Sequence, residues 1–309
     1  MAATDSRAEE SLHVWMSALR AEVDAMLPAL LPARHETAAD VHDAMAYGLL
    51  SPGKRIRPIL CLGVAQMYRV EIRRILPAAC ALEMVHTASL LLDDLPSMDD
   101  APQRRGRASC HVVFGESTAI LAAVGLLSHA FDVLARGSEG DRTRDRVRCL
   151  VAGRLAAAIG PDGLIGGQAA DLETTRRARG GAGPVDLTTL EFVHSHKTGS
   201  LFIASAAIGA ELAGATLHEL EALEGYARNL GLAFQITDDL IDAVGDARKA
   251  GKPVRSDQDK TTFVTLCGVE GARSLAADLV RAAESELAPF GRRAARLAEL
   301  ARFVSARDR

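Results

Sequence analysis

Two short acidic stretches carry residues whose types and spacing could do chemistry. Leu90 to Asp100 reads LLLDDLPSMDD, placing four aspartates (Asp93, Asp94, Asp99 and Asp100) within eight positions, and RRGR follows at Arg104 to Arg107. Phe234 to Val244 reads FQITDDLIDAV, with Asp238, Asp239 and Asp242. Packed carboxylates repel one another, so a stable cluster calls for cations. Oxygen-only ligands without histidine or cysteine suit a hard cation, and Mg2+ takes one or two carboxylates while sharing its other positions with water and substrate phosphates. The pattern points to Mg2+ ions that in turn hold a diphosphate.

Geometry separates the two clusters. At 3.6 residues per turn, Asp238 and Asp242 lie on one helix face, roughly 40° apart and one turn from each other. Taken alone, such a DDxxD motif reads as a solvated acidic face. The six-residue step from Asp93 to Asp99 is about 600°, which would send them to different faces of an unbroken helix. Pro96 lacks a donor N–H and disfavours a helical residue before it, so a loop is expected to bring Asp99 back toward Asp93 and Asp94. Taken alone, this motif reads equally well as an acidic loop after a core helix. Both clusters follow strongly apolar helical stretches, however, and together they favour helix ends or walls near the core over a polar surface.

A bound diphosphate would need fixed positive groups, and these gather near the chain breaks. Lys54, Arg55 and Arg57 lie in SPGKRIRP, Arg104 and Arg105 follow the first acidic loop, Lys197 precedes Thr198 in HSHKTGS, and Lys252 and Lys260 follow the second cluster. Arginine offers a bidentate fork for phosphate oxygens and lysine a compact charge, although each of these residues singly reads as a surface cation. Gly48 to Lys54 matches the spacing of a nucleotide phosphate loop, but Arg55 follows where Ser or Thr is required and no strand precedes, which excludes that reading. His194 and His196 are two apart, off a common helix face, and read as structural or polar-lining residues.

The elements that must position these groups are helical. Aromatics are only 4% of the 309 residues, and LHVWMSALRAEVDAMLPALL and LHELEALEGYARNLGLAFQITDDLIDAV repeat apolar residues at helical spacing. Breaks are expected at 51–58, at Pro96 to Gly106, at Arg136 to Gly140, at 179–184 and at 245–253. Composition does not change across them, which predicts one all-α domain over 1–309 without internal repeats. The 48% hydrophobic content excludes a disordered chain, and a net charge of −4 gives no bulk reason to expect nucleic acid. The odd count of five scattered cysteines fits a reducing cytoplasm. No signal-peptide layout is evident at the N-terminus, and no uncharged apolar run of bilayer-spanning length is expected.

In order, GKRIRP, DDLPSMD with RRG, GGQAAD, KT and FQITDDLID resemble the trans-isoprenyl diphosphate synthases over about residues 45–265. The six-residue first motif is similar to the bacterial and plant branch, and LLLDDLPSMDDA, ILAAVGLLSHAF and HSHKTGSLF most resemble bacterial geranylgeranyl diphosphate synthases of carotenoid and other diterpenoid pathways. The resemblance implies an all-α isoprenoid synthase fold of antiparallel helices around a deep central cavity, acting as a homodimer. It implies that Asp93, Asp94, Asp99, Asp238, Asp239 and Asp242 bind three Mg2+ on an allylic diphosphate. Lys54, Arg57, His86 and Arg105 would bind isopentenyl diphosphate. Arg104, Lys197, Thr198, Gln235 and Lys252 would hold the allylic diphosphate, with Gln168 and Asp171 lining the same cavity. The implied reaction is head-to-tail condensation of isopentenyl diphosphate with dimethylallyl, geranyl or farnesyl diphosphate. Ala101, Pro102 and Val112 depart from the family pattern, at positions outside the principal diphosphate and metal sets.

The same resemblance places the floor of the product tunnel on the helix before Asp93, at Val85, Ala88 and Ser89. Farnesyl-producing relatives often carry an aromatic at the position of Ala88, so the small residue here predicts a twenty-carbon product. Met84, Leu126 or Phe131 could form the floor instead. A farnesyl or twenty-five-carbon synthase, a terpene cyclase and a non-catalytic regulatory subunit are the alternatives, the last two disfavoured by two complete aspartate motifs beside GKRIRP and RRG. The basic C-terminal end, LARFVSARDR, reads either as a flap over the isopentenyl site or as a frayed tail.

Overall fold

Alanine and leucine at helical spacing fold into helices almost throughout the described residues. The structure, a computed structural model, describes residues 2–136, 145–180, 185–244 and 261–307. The breaks expected at Arg136 to Gly140, 179–184 and 245–253 fall largely outside the described residues, as do Lys252 and Lys260. The chain divides into two compact units, Met1–Gly153 and Arg154–Arg309.

The first unit begins with α1 (Ala2–Leu30), α2 (Ala39–Leu49), α3 (Ile56–Met67) and α4 (Ile72–Asp93). A two-residue hairpin follows, β1 (Gln103–Arg104) antiparallel to β2 (Arg107–Ala108), then α5 (Cys110–Phe114) and α6 (Glu116–Arg136). The division between units falls within α7 (Asp145–Ile159). Helix α4 packs against α6, α3, α1 and α2. Its buried positions, among them Ala78, Ala79, Ala81, Leu82, Val85 and Ala88, run right round the helix, as expected of a helix at the centre of a core. Trp15 Nε1 donates to Gln66 Oε1 at 2.7 Å and ties α1 to α3.

One expectation changes here. Ile72–Asp93, Glu116–Arg136 and Asp145–Arg177 are each long and apolar enough to cross a membrane by length and composition. For α4 the apolarity has another cause, since 72% of its most apolar window is buried inside the protein, against 39% for α6. The outer side of α6 presents Ile120, Leu121 and Val124 to solvent, spaced three and four apart on one face, with Val112 and Val113 of α5 also exposed.

The second unit comprises α8 (Leu164–Arg179), α9 (Leu187–His194), α10 (Ser200–Ala213), α11 (Leu217–Val244), α12 (Phe263–Glu286) and α13 (Ala295–Ala306). Helix α11 spans the residues its periodicity predicts and packs against α12, α10 and α13. A core cluster of Leu190, Ile236, Leu240, Phe263, Ala272 and Ala276 joins α9, α11 and α12. Tyr226, fully buried, donates its hydroxyl to Leu297 O at 2.7 Å. Between α9 and α10, residues Ser195–Gly199 form one π-helical turn.

Candidate active site

In the first unit the chain returns on itself after α4. The helix stops at Asp93, three residues before Pro96, and Asp99 N donates to Asp93 O at 2.9 Å while Ala101 N donates to Asp94 O at 3.2 Å. The proline-driven return of Asp99 expected from the spacing is present, and it satisfies carbonyls that the helix end would leave open. Asp100 closes the loop at φ 49°.

The hairpin then presents the arginine pair. Arg105 (φ 53°) and Gly106 (φ 74°) occupy its two-residue turn, the left-handed pair that a tight hairpin requires. Arg104 Nε donates to Asp94 Oδ1 at 2.8 Å and Nη2 to the same oxygen at 2.5 Å, and Asp94 is only 2% exposed. Burial opposes the Arg104 charge, but the bonds to Asp94 and the charges of Asp93 and Asp99 outweigh it and raise its pKa. Arg105 is turned toward the GKRIRP loop: a Cβ on Gly53 would stand 2.8 Å from its Nη1, so only glycine lets the guanidinium lie there. Lys54 is exposed and Arg57 half-buried on the same loop and the following turn.

His86, on α4 one turn after Glu83, lies within the field of these cations. Burial first, then Arg57, Arg105, Arg104 and Arg55, push its pKa well below the ordinary 6.5 and favour the neutral imidazole. Lys54, Arg57, His86 and Arg105, assigned together by sequence, thus come from three segments of one unit. Of the residues that the resemblance assigns to the tunnel floor, Val85 and Ala88 are buried and Ser89 is half-buried, its hydroxyl donating to His86 O at 2.8 Å.

In the second unit the π turn carries Lys197 and Thr198. Gly167 permits it to pack on α8, because a Cβ there would stand 2.1 Å from Lys197 N. Lys197 Nζ donates to Asp171 Oδ2 at 2.7 Å and Thr198 Oγ1 to Gln235 Oε1 at 3.0 Å. Gln235 Nε2 continues to Asp239 Oδ1 at 3.1 Å, and Asp239 Oδ2 accepts from Phe263 N at 3.0 Å. Gln168 has both amide atoms buried with no hydrogen-bond partner among the described residues, an arrangement suited to a polar ligand. His196 Nδ1 lies 2.7 Å from Phe192 O and its ring stacks on Phe192 at 4.0 Å, in keeping with a structural histidine.

Sequence reasoning gave two arginines no individual role. Arg55 is buried away from solvent. Arg307, in the basic C-terminal end, folds onto α11: Nη2 donates to Phe234 O at 2.7 Å and lies 3.0 Å from Asp238 Oδ1, with the guanidinium 3.7 Å over the Phe234 ring. The cluster of basic residues at the end of the chain was the only signal for it.

The donor set of both motifs fits Mg2+. Among the described residues no three His, Cys, Asp or Glu side chains converge as a single-ion cage, but Mg2+ takes few protein ligands and completes its shell with water and phosphate oxygens. Asp94 and Asp239 are engaged by Arg104 and by Gln235 with Phe263 N, and so anchor their motifs.

Two predictions follow from this geometry. Gly167→Ala gains about 1 kcal/mol of helix propensity, but its methyl meets a backbone amide that no rotamer can avoid, so we predict a net loss of roughly 1–3 kcal/mol in a denaturant titration. For His86 the folded pKa lies below the unfolded one, so between the two the unfolded chain binds more protons and stability falls as pH drops through 6.5. We predict that His86→Gln flattens the decline in melting temperature between about pH 7 and pH 5; an unchanged slope would rule out the neutral imidazole.

Comparison with known proteins agrees with this arrangement. The Polyprenyl synthetase family profile matches residues 39–286. A chloroplastic geranylgeranyl pyrophosphate synthase of Capsicum annuum is 42% identical over 87% of this chain and 72% of its own length. The farnesyl diphosphate synthase of Geobacillus stearothermophilus is 43% identical, covering 89% and 91% of the two chains. The crystal structure of a Zymomonas mobilis FPP/GFPP synthase superposes with a TM-score of 0.84 at 34% identity, over 96% of this chain and 99% of that one. With both aspartate motifs, the arginine hairpin and the Lys-Thr turn in place, the chain belongs to the polyprenyl synthetase family and is a prenyltransferase of isoprenoid biosynthesis.

Proposed function

We propose that this protein condenses isopentenyl diphosphate with allylic diphosphates up to farnesyl diphosphate and releases geranylgeranyl diphosphate and pyrophosphate. The observation that carries the reading is the gathering of Arg57, Arg105 and His86 around the loop that bears Lys54, next to the buried Asp94 and its half-exposed partner Arg104. That set can bind the diphosphate of isopentenyl diphosphate without a metal, Arg57 and Arg105 through forked N–H groups and His86 as a neutral donor. Lys197 and Thr198 on the π turn, with Gln235 and Lys252, hold the allylic diphosphate.

Mg2+ held by Asp93, Asp94 and Asp99 of the first motif and by Asp238, Asp239 and Asp242 of the second, when bound, would stabilise charge on departing pyrophosphate and so ease ionisation of the allylic C–O bond. The C–O electron pair leaves with pyrophosphate, the alkene of isopentenyl diphosphate forms the new C–C bond, and a proton is lost, to pyrophosphate in this reading. Apolar residues around the allylic tail exclude water that would quench the cation.

Twenty carbons is the reading supported by Ala88, a small buried residue on α4 five positions before Asp93, with no aromatic from Val85 to Ser89. The test is incubation with isopentenyl diphosphate and dimethylallyl, geranyl or farnesyl diphosphate, with and without Mg2+, and mass spectrometry of the dephosphorylated products. Geranylgeraniol should dominate, EDTA should abolish it, and Ala88→Tyr should shift the product to farnesol. Farnesol from the wild type would refute the role given to Ala88.

We propose further that two copies pair through the exposed Val112, Val113, Ile120, Leu121 and Val124 of α5 and α6, and that the enzyme works in a reducing cytoplasm, in line with five unpaired cysteines. Leu121→Glu with Val124→Glu should halve the mass measured by light scattering; an unchanged mass would place the pairing surface elsewhere.

A further inference from the structure

Arg55 interrupts the cations of GKRIRP yet faces the other way. It is 3% exposed, and its guanidinium serves four acceptors: Glu83 Oε1 through Nη1 at 2.6 Å, Asp24 Oδ1 through Nε at 2.9 Å, and Leu49 O and Ser51 O through Nη2 at 3.1 and 2.9 Å. Its backbone is left-handed (φ 52°, ψ 33°) at the entry to α3, where Arg55 O accepts from Ile59 N at 2.9 Å. Glu83 is 1% exposed and stands on α4 three residues before His86, one turn away on the same side.

We propose that Arg55 and Glu83 are a positioning pair that fixes the turn at residues 51–57 so that Lys54 and Arg57 are presented to a diphosphate together with His86 and Arg105. A left-handed backbone at a non-glycine residue is maintained only where surrounding contacts over-determine it, and Arg55 supplies those contacts from α1, the end of α2 and α4. Reversing the backbone at Arg55 would swing Lys54 and Arg57, its neighbours at one and two residues. Glu83 has a second effect: its carboxylate favours the charge on Arg105, which burial and the neighbouring Arg55 and Arg104 oppose. One buried acid thereby moderates the mutual repulsion of the cations while no diphosphate is bound. Stability alone does not account for the pair, because a buried ion pair can be replaced by apolar side chains of similar volume with little loss.

The inference rests on the reading that Lys54, Arg57, His86 and Arg105 take isopentenyl diphosphate, and its test separates the two. The double variant Arg55→Met with Glu83→Leu should fold, with a melting temperature lowered because Asp24 and the carbonyls of Leu49 and Ser51 lose the Arg55 donor. Its KM for isopentenyl diphosphate should rise at least tenfold while KM for farnesyl diphosphate stays within twofold, and hydrogen exchange at residues 51–57 should accelerate. Arg55→Lys, which keeps the charge but cannot reach all four acceptors, should show the same split and serves if the double variant does not fold. A folded variant with unchanged KM for isopentenyl diphosphate and unchanged exchange at 51–57 overturns the proposal. If the wild type turns over no isopentenyl diphosphate, the functional reading fails, and exchange at 51–57 alone still decides whether the pair fixes the turn.

Discussion

The bond between Asp94 and Arg104 is the constraint on which the first unit's site depends. A carboxylate almost wholly removed from water at the end of α4 is tolerable only with a cation against it, and Arg104 donates two hydrogen bonds to one of its oxygens. Holding Arg104 fixes the hairpin, the left-handed turn at Arg105 and Gly106 sets where Arg105 points, and its guanidinium lies against Gly53. The first aspartate motif and the GKRIRP loop are therefore parts of one electrostatic arrangement. Neither can be aimed without the other.

The second unit solves the same problem with neutral donors and close backbone contact. Asp239, 7% exposed, is satisfied by Gln235 and by Phe263 N. Gln235 is in turn reached by Thr198 from a π turn, a distortion that widens the helix and redirects side chains, and that turn sits on α8 because Gly167 has no side chain. A ladder of hydrogen bonds from the Lys-Thr turn to Asp239 results.

The parts legible in the sequence are those governed by local rules. The extent of α11 follows from its apolar period, and the return of Asp99 follows from Pro96 and a six-residue spacing that an unbroken helix cannot reconcile. Residues whose roles depend on distant partners were less legible. Arg55 looks like one more phosphate-binding cation until Glu83 and Asp24, 28 and 31 residues away, are seen against it. The π turn has no compositional signature in HSHKTGS, and the hairpin is too short to show strand alternation. The apolarity of α4 comes from burial on all sides, which a hydropathy window cannot tell from a bilayer span.

Helix α4 also divides its duties by angle. Taking about 100° per residue, Glu83, His86, Asp93 and Asp94 fall within one sector of roughly 100°, Val85 and Ala88 fall on the opposite side, and Ser89 stands at the border, one turn from both His86 and Asp93. One rod thus carries its ionisable groups on one side and the small or branched apolar Val85 and Ala88 on the other. A replacement at Val85 or Ala88 therefore alters the apolar side of the helix without displacing the groups that carry charge.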